Sequence, residues 1–240
     1  MTQKPPKGKL YLIPTTLGSF DTSEQVFPSY NVQIIHTLTE FVVEQVRTSR
    51  RFLSYLKHPV PIDQMVFYEL NKTTLNKDIS QYLTSLHEGK SIGLLSEAGT
   101  PCVADPGSKV VEMAQERGYT VVPLVGPNSL LLALMGSGFN GQNFVFHGYL
   151  PIDKSDLIKK IREMEGNILK RSQTQMFIET PFRNDSMFDM LVTGCQPATK
   201  LCVATNLTLP TESIITKTIG SWKKEKPDLH KKPTVFLLYK

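Results

Sequence analysis

The chain has little cysteine. Cys102, Cys195 and Cys202 are the only three in 240 residues, and no two stand in CxxC spacing. An odd, scattered set cannot build a disulfide framework and lacks the paired thiolates of a zinc site. Buried or incidental thiols in a reducing compartment are expected. His36, His58, His87, His147 and His230 are equally dispersed, so they read as surface or core residues rather than metal ligands. Long apolar runs are missing too. The longest, such as Leu130–Met135, fall far short of the roughly 20 residues that cross a bilayer. The basic stretch Met1 to Lys9 leads into a strand without an apolar segment of signal-peptide length. No low-complexity tract occurs, and 40% of residues are hydrophobic against 20% charged, which excludes a disordered chain. A soluble, cytoplasmic protein is expected, with no metal and no membrane partner, as one large domain or two of about 120 residues.

What is present is unevenly charged. The net charge is +5, with Lys4, Lys7 and Lys9 at one end and seven lysines against Glu225 and Asp228 from 217 to 240. The ends therefore carry more than the whole excess, and the middle is slightly acidic. Basic ends suit phosphate groups, although ordinary solvated lysines explain them as well.

Strand-like and helix-like segments alternate. Strands are predicted at Lys9–Pro14, Val32–His36, Gln64–Tyr68, Ser91–Leu95 and Tyr119–Pro123. Helices are predicted at Leu38–Leu56, Thr74–Glu88, closed by Gly89, and Gly107–Arg117, closed by Gly118. Such alternation predicts a mostly parallel α/β sheet, with ligands beyond the carboxyl ends of its strands. Further on, helices are predicted at Asn128–Gly136, Ser155–Leu169 and Asn184–Leu191. Strands are predicted at Asn143–His147, Gln175–Glu179, Leu201–Thr205, Ser213–Gly220 and Thr234–Tyr239. Consecutive strands at the end predict a mixed sheet. The expected organisation is two α/β domains, 1–122 and 123–240, joined at Val125-Gly126-Pro127.

Four stretches carry chemistry. SEAGTPCVADPG (Ser96–Gly107) joins a strand to a helix. Gly99 permits close approach of a ligand, Thr100 offers a hydroxyl, and Asp105-Pro106-Gly107 reads as a helix start. A purely structural loop is the competing reading. VGPNSLLLALMGSG (Val125–Gly138) opens a helix at Asn128 or Ser129, whose free amides suit a polar or anionic group; a capped core helix reads equally well. FIETPFRN (Phe177–Asn184) ends a strand in Glu179 with Arg183 close behind, as cleft residues or a simple ion pair. LIPTTLGS (Leu12–Ser19) sits where a phosphate loop would, but it is neither GxGxxG nor a Walker A sequence, which argues against those sites.

Taken in order, these stretches resemble the tetrapyrrole methylase superfamily, and within it the branch of ribosomal RNA small subunit methyltransferase I. GKLYLIPTTLGS resembles the branch's opening strand and loop, and SEAGTPCVADPG its SDAGTP-x-x-SDPG segment. VGPNSLLLALMGSGF is similar to its PG-x-x-A-x-x-x-A-x-x-x-SG helix. FVFHGYLP (Phe144–Pro151) is similar to F-x-F-x-GFLP, FIETPFR to YE-x-PHR, and NLTLPTE (Asn206–Glu212) to ELTK-x-x-E. The resemblance covers residues 8–222. It also has departures. Where the branch has AEDTR, this chain has Val43-Glu44-Gln45-Val46-Arg47, keeping Glu44 and Arg47 only. Phe182 replaces the His of PHR, Leu209 replaces the Lys of ELTK, and the HNE segment has no clear counterpart near Glu69-Leu70-Asn71. A divergent paralogue with an altered substrate side is implied.

The resemblance implies a homodimer that binds S-adenosylmethionine in a cleft between the domains. Carried over by position, donor contacts fall on Leu17, Ala98, Gly99, Thr100, Val103, Asn128, Ser129 and Glu179. Methyl transfer from a sulfonium is an in-line displacement that needs alignment and a proton acceptor rather than a covalent enzyme intermediate. Glu44 and Glu179 are the candidate bases, and Arg47 and Arg183 the candidate phosphate clamps, with structural ion pairs as the competing role. The implied activity is 2′-O-methylation of small-subunit ribosomal RNA, with ribosomal RNA or the small subunit as partner. Methylation of a tetrapyrrole or other small molecule, and a donor-binding protein without catalysis, are the alternatives.

Overall fold

The computed structural model describes residues 7–71, 73–74 and 76–240. Lys4 of the basic amino-terminal cluster lies outside them. The chain divides after Asn128 into two compact units.

The first unit holds one five-stranded sheet. Its strands are β1 (Lys9–Ile13), β2 (Glu40–Val43), β3 (Val66–Glu69), β4 (Ile92–Leu95) and β5 (Thr120–Pro123), in the order β3-β2-β4-β1-β5. Every pairing in it is parallel. Each central strand is an apolar run buried on both faces, as a parallel sheet requires. Leu10, Val42, Ile92 and Leu94 point to one face and meet Ile79, Leu86, Val110 and Ala114 from helices Asn76–Tyr82, Thr84–His87 and Ser108–Glu116, with Leu83 from the turn between the first two. Ile13, Phe41, Val43 and Leu95 point to the other and meet Ile35, Phe52 and Leu53 from helices Ser29–Ile35 and Val46–Tyr55. The chain leaves the adjacent strands β1 and β4 toward opposite edges, since β2 lies beyond β4 and β5 beyond β1. Divergence of this kind marks the switch point of a parallel sheet, at whose carboxyl ends such sheets take ligands.

The second unit holds a mixed sheet of β6 (Phe144–Tyr149), β7 (Thr174–Ile178), β8 (Lys200–Thr205), β9 (Ser213–Thr218) and β10 (Thr234–Tyr239), in the order β6-β7-β10-β8-β9. Only β6 and β7 pair in parallel; the other pairings are antiparallel. Helix Lys154–Arg171 presents Leu157, Ile161, Met164 and Ile168 at helical spacing to the core, where they meet Met187, Phe188 and Leu191 from helix Asn184–Gly194. The amino end of the long helix is capped by Asp153, which accepts from the amides of Ser155 and Asp156. Trp222 closes the core and donates its indole N–H to the Leu201 carbonyl at 2.9 Å. The expected pair of α/β domains is what the fold contains.

Several elements differ from the sequence expectation. Val32–His36 is not a strand but lies in and just past helix Ser29–Ile35, entered from Pro28. The predicted helix Leu38–Leu56 is instead β2 followed by helix Val46–Tyr55. Burial decides both: Glu40–Val43 is enclosed at every position and has no polar face to alternate, while the β-branched run of residues 32–35 docks one face only. The predicted helix Thr74–Glu88, apart from Leu75, which lies outside the described residues, is two shorter helices. Ser213–Gly220 changes at Thr218, whose hydroxyl accepts from the Ser221 amide and starts helix Ile219–Trp222. Among the described residues no helix is long and apolar enough to cross a membrane.

Two histidines tie down the carboxyl ends of the helices that flank β2. His36 Nε2 bonds the Leu56 carbonyl at 2.9 Å, and His58 Nε2 bonds the Ile35 carbonyl at 2.9 Å. Their rings meet edge to face at 5.4 Å. His58 Nδ1 also accepts from the Val60 amide at 3.1 Å, so its proton resides on Nε2. Replacing His58 by Leu removes both hydrogen bonds and strands the Val60 amide, while the Ile35 carbonyl keeps the Leu38 amide at 3.0 Å. We expect a loss of about 1–3 kcal/mol in stability, measured by urea unfolding; an unchanged midpoint would show that the clamp carries no load.

Candidate functional site

The loops that leave β1, β4 and β5 stand side by side. The Thr15 amide donates to the Gly99 carbonyl at 3.0 Å, and the Ser96 amide to the Ile13 carbonyl at 3.3 Å. The Asn128 amide nitrogen donates to Thr100 Oγ1 at 2.6 Å. Asn31, from the helix after β1, donates to the Val125 carbonyl at 2.6 Å. Gly99 is left-handed (φ +72), and a Cβ there would stand 2.8 Å from Leu17 Cδ2 and 3.0 Å from the Pro127 carbonyl oxygen. A Cβ on Gly126 would fall 2.2 Å from Pro14 Cγ. Three segments far apart in sequence are thus packed at backbone contact.

The loop after β4 is strained as well as tight. Cys102 (φ 68) and Ala104 (φ 57) both occupy the left-handed region that side chains avoid. Asp105 does not cap the following helix directly. Its Oδ1 accepts from the Gly107 amide at 2.7 Å, forming a turn one residue before the helix begins. Two polar atoms here are sealed from solvent without a hydrogen bond, apart from what a protonated Glu44 can donate to the Asp105 carboxyl: Thr15 Oγ1 and Asp105 Oδ2. Strain together with unsatisfied polar atoms marks a loop shaped by something other than stability.

Three carboxylates converge at the ends of β2 and β4. Glu44 lies within hydrogen-bond reach of the Asp105 carboxyl, and burial, the Asp105 charge and Glu97 together push Glu44 up to about 7. Glu97 accepts from the Gln45 amide at 3.2 Å. Burial raises Glu97 above the usual carboxylate range against the pull of Thr48 and Gln45. The Cys102 thiol is pushed up to about 11, by burial first and Asp105 second, so it is no nucleophile near neutrality.

Of the residues singled out in the sequence, Leu17, Ala98, Gly99, Thr100 and Asn128 come together in these loops. Val103 is exposed on the same β4 loop. Glu44 and Arg47 sit at the end of β2 and the first turn of helix Val46–Tyr55. Ser129 begins helix Ser129–Ser137 of the second unit. Glu179 ends β7; its side chain is 1% exposed and stands 3.1 Å from the Arg183 guanidinium. That separation suits an ion pair, but the atoms are not aligned for a hydrogen bond at Glu179 Oε2, and Oε1 accepts from the Thr180 amide at 2.7 Å. Sequence reading missed Thr15, Glu97 and the inward role of Asp105. Their only local signal is that each lies on a strand-end loop. A second strained loop follows β8, where Asn206 (φ 50) and Thr208 (φ 68) are left-handed. The Thr208 hydroxyl there is buried without a partner.

Because Glu44 holds its proton to higher pH in the fold than in the unfolded chain, stability falls as pH rises from its ordinary 4.5 to about 7. The Glu44→Gln variant should therefore gain roughly 1 kcal/mol over the parent at pH 8 and almost nothing at pH 4.5. Thermal melts at the two pH values check this, and an equal effect at both would contradict it.

A model of the tetrapyrrole (corrin/porphyrin) methylases matches residues 31–222. The ribosomal RNA small subunit methyltransferase I of Halalkalibacterium halodurans is 30% identical over 194 residues, covering 79% of this chain and 62% of that protein. The protein of that name from Thermotoga maritima is 30% identical over 177 residues, 73% of each chain. The one from Escherichia coli O157:H7 is 25% identical over 236 residues, 97% of this chain and 78% of the other. The chain spans 62%, 56% and 59% of the first three such relatives. Among solved structures, the methyltransferase CobJ superposes with a TM-score of 0.63 at 16% identity, over 97% of this chain and 94% of that one. Cobalt precorrin-4 methyltransferase does so with 0.62 at 14% identity, over 96% and 94%. At such identities these two speak for the fold alone. With a family model matched across both units, this chain belongs to the tetrapyrrole (corrin/porphyrin) methylases.

Proposed function

We propose that the chain is an S-adenosylmethionine-dependent methyltransferase that acts, as a homodimer, on the ribose 2′-hydroxyl of small-subunit ribosomal RNA. The observation that carries this reading is the assembly of strand-end loops around Gly99. It combines close backbone approach with buried polar atoms that lack partners. The acceptor class rests on the names of the relatives, which are ribosomal RNA small subunit methyltransferases.

The loops fit the donor. Leu17, Ala98, Gly99, Thr100, Val103 and Asn128 offer backbone groups, a hydroxyl and an apolar wall, and the unpaired Thr15 hydroxyl can serve a polar group of the methionine part. The donor, when bound, supplies an electrophilic methyl on sulfonium. The chain's own task is to align an acceptor oxygen and remove its proton. Glu44 suits that task, because a carboxyl that titrates near 7 holds a proton strongly enough to draw one from a hydroxyl yet is largely free at physiological pH. Glu179 suits it less: its carboxyl is enclosed and committed to Arg183 and the Thr180 amide. We assign that pair a structural role in the loop after β7. Arg47, three residues past Glu44, is placed to hold a phosphate flanking the target.

The test is methylation of purified small ribosomal subunits that lack the modification, with the product read as a linkage resistant to alkali. Activity should rise with pH to a plateau with a midpoint near 7, the value set by Glu44. Glu44→Gln should lower kcat by about 10²–10⁴. An alkali-labile product, or a pH profile unchanged in Glu44→Gln, would sink the assignment.

A further inference from the structure

Helix Val46–Tyr55 contains no acidic residue, and its outward face is arginine. Ser49, Phe52 and Leu53 are buried on one side. The 3.6-residue repeat places Arg47, Arg50, Arg51, Ser54 and Tyr55 on the other. None of these three arginines forms an ion pair with a carboxylate among the described residues. Arg50 lies over the ring of Phe67, 5.5 Å from its centre, on the edge strand β3. Beside it is an open depression of about 510 Å³ lined by Phe20, Arg50, Arg51, Ser54, Tyr55 and Ile62. The rings of Phe20 and Tyr55 stand 5.9 Å apart. Beyond Tyr55 a second cavity, about 840 Å³, continues past Phe27, His36 and Lys57. Uncompensated guanidinium groups therefore alternate with aromatic rings along a surface that begins next to Glu44.

We infer that this face is a track for single-stranded RNA. Phosphates would lie on Arg47 and Arg51, and a base would stack on the exposed ring of Tyr55 at the rim of the depression. Three physical points favour that occupant. Side chains four apart on a helix stand about 5–6 Å apart, close to one step along a nucleotide backbone. Guanidinium groups bind phosphate in a two-pronged manner and are weakly hydrated, so unpaired arginines fit phosphates better than lysines do. Aromatic rings interleaved with cations are how sequence-tolerant sites hold unstacked bases. An anionic bilayer would call for protruding aliphatic side chains, and this face has none. The inference rests on the proposed RNA acceptor and adds where the strand flanking the target runs.

The experiment measures the whole chain binding a labelled single-stranded 12-mer of RNA by fluorescence anisotropy over a salt series. In Arg47→Gln/Arg51→Gln the plot of log affinity against log salt should become shallower by about 1.4, from roughly 0.7 per lost phosphate contact. Affinity at low salt should fall tenfold or more. Tyr55→Ala should weaken binding about tenfold with the salt slope unchanged. The Lys223→Gln/Lys224→Gln control should bind like the parent. Several results would overturn the inference: unchanged affinity and slope in the arginine variant, the loss appearing in the lysine control instead, no RNA binding by the parent, or capture by anionic vesicles in place of RNA. Calorimetric titration of the same proteins with S-adenosylmethionine separates the two readings. A parent that binds RNA through these arginines but not the donor would contradict the proposed enzyme and leave the track standing.

Discussion

Two contacts leave no room for a side chain, and the first unit's candidate site is built around them. Gly99 meets Leu17 and the Pro127 carbonyl, and Gly126 meets Pro14, at distances that a single added carbon would violate. Only with both glycines can the loops after β1, β4 and β5 lie in register at the point where the chain diverges from the parallel sheet. The Thr15–Gly99 and Asn128–Thr100 hydrogen bonds then fix that register. The cost is visible in the same loop, where Cys102 and Ala104 hold left-handed backbone that costs on the order of 1–3 kcal/mol each. A loop selected for stability alone would not retain both.

The electrostatics follow from the sheet. β2 and β4 are neighbours, so the residues just past their carboxyl ends face one another, and here those residues are Glu44, Glu97 and Asp105. Crowding three carboxyls in a partly dry place leaves Glu44 titrating near neutrality. The helix that begins two residues later turns outward a face with three arginines and no acidic residue. The proposed proton acceptor and the proposed RNA track are thereby joined by one short stretch of chain. The arrangement suits an acceptor that is a single hydroxyl on a long polyanion.

Much of this was legible in the sequence. Glycine and proline mark the loops at 14–19, 96–107 and 125–128, and turn chemistry is local, so those strand-end loops could be read directly. β2 could not. Glu40–Val43 is enclosed on both faces, has no alternation to betray it, and is followed by apolar positions at helical spacing. Residues 32–35 misled in the opposite sense, because Val and Ile favour strands by themselves and only docking beside β2 makes them helical. Asp105 read as a cap because the cap and the turn it makes use the same local signal. Its proximity to Glu44, like the bond from the Gln45 amide to Glu97 across 52 residues, is a product of strand order that no single segment contains. The Glu179–Arg183 pair, by contrast, lies within one turn, and the ion pair was one of the two readings open from sequence.

The central claim is that the loops around Gly99 are a binding site for a methyl donor. Calorimetric titration with S-adenosylmethionine and with its demethylated product, run on the parent chain and on Gly99→Val, tests it most directly. Micromolar binding of both ligands is expected for the parent, and none for a Gly99→Val protein that keeps its circular dichroism spectrum. A folded parent that binds neither ligand, or a Gly99→Val variant that binds as the parent does, would contradict it.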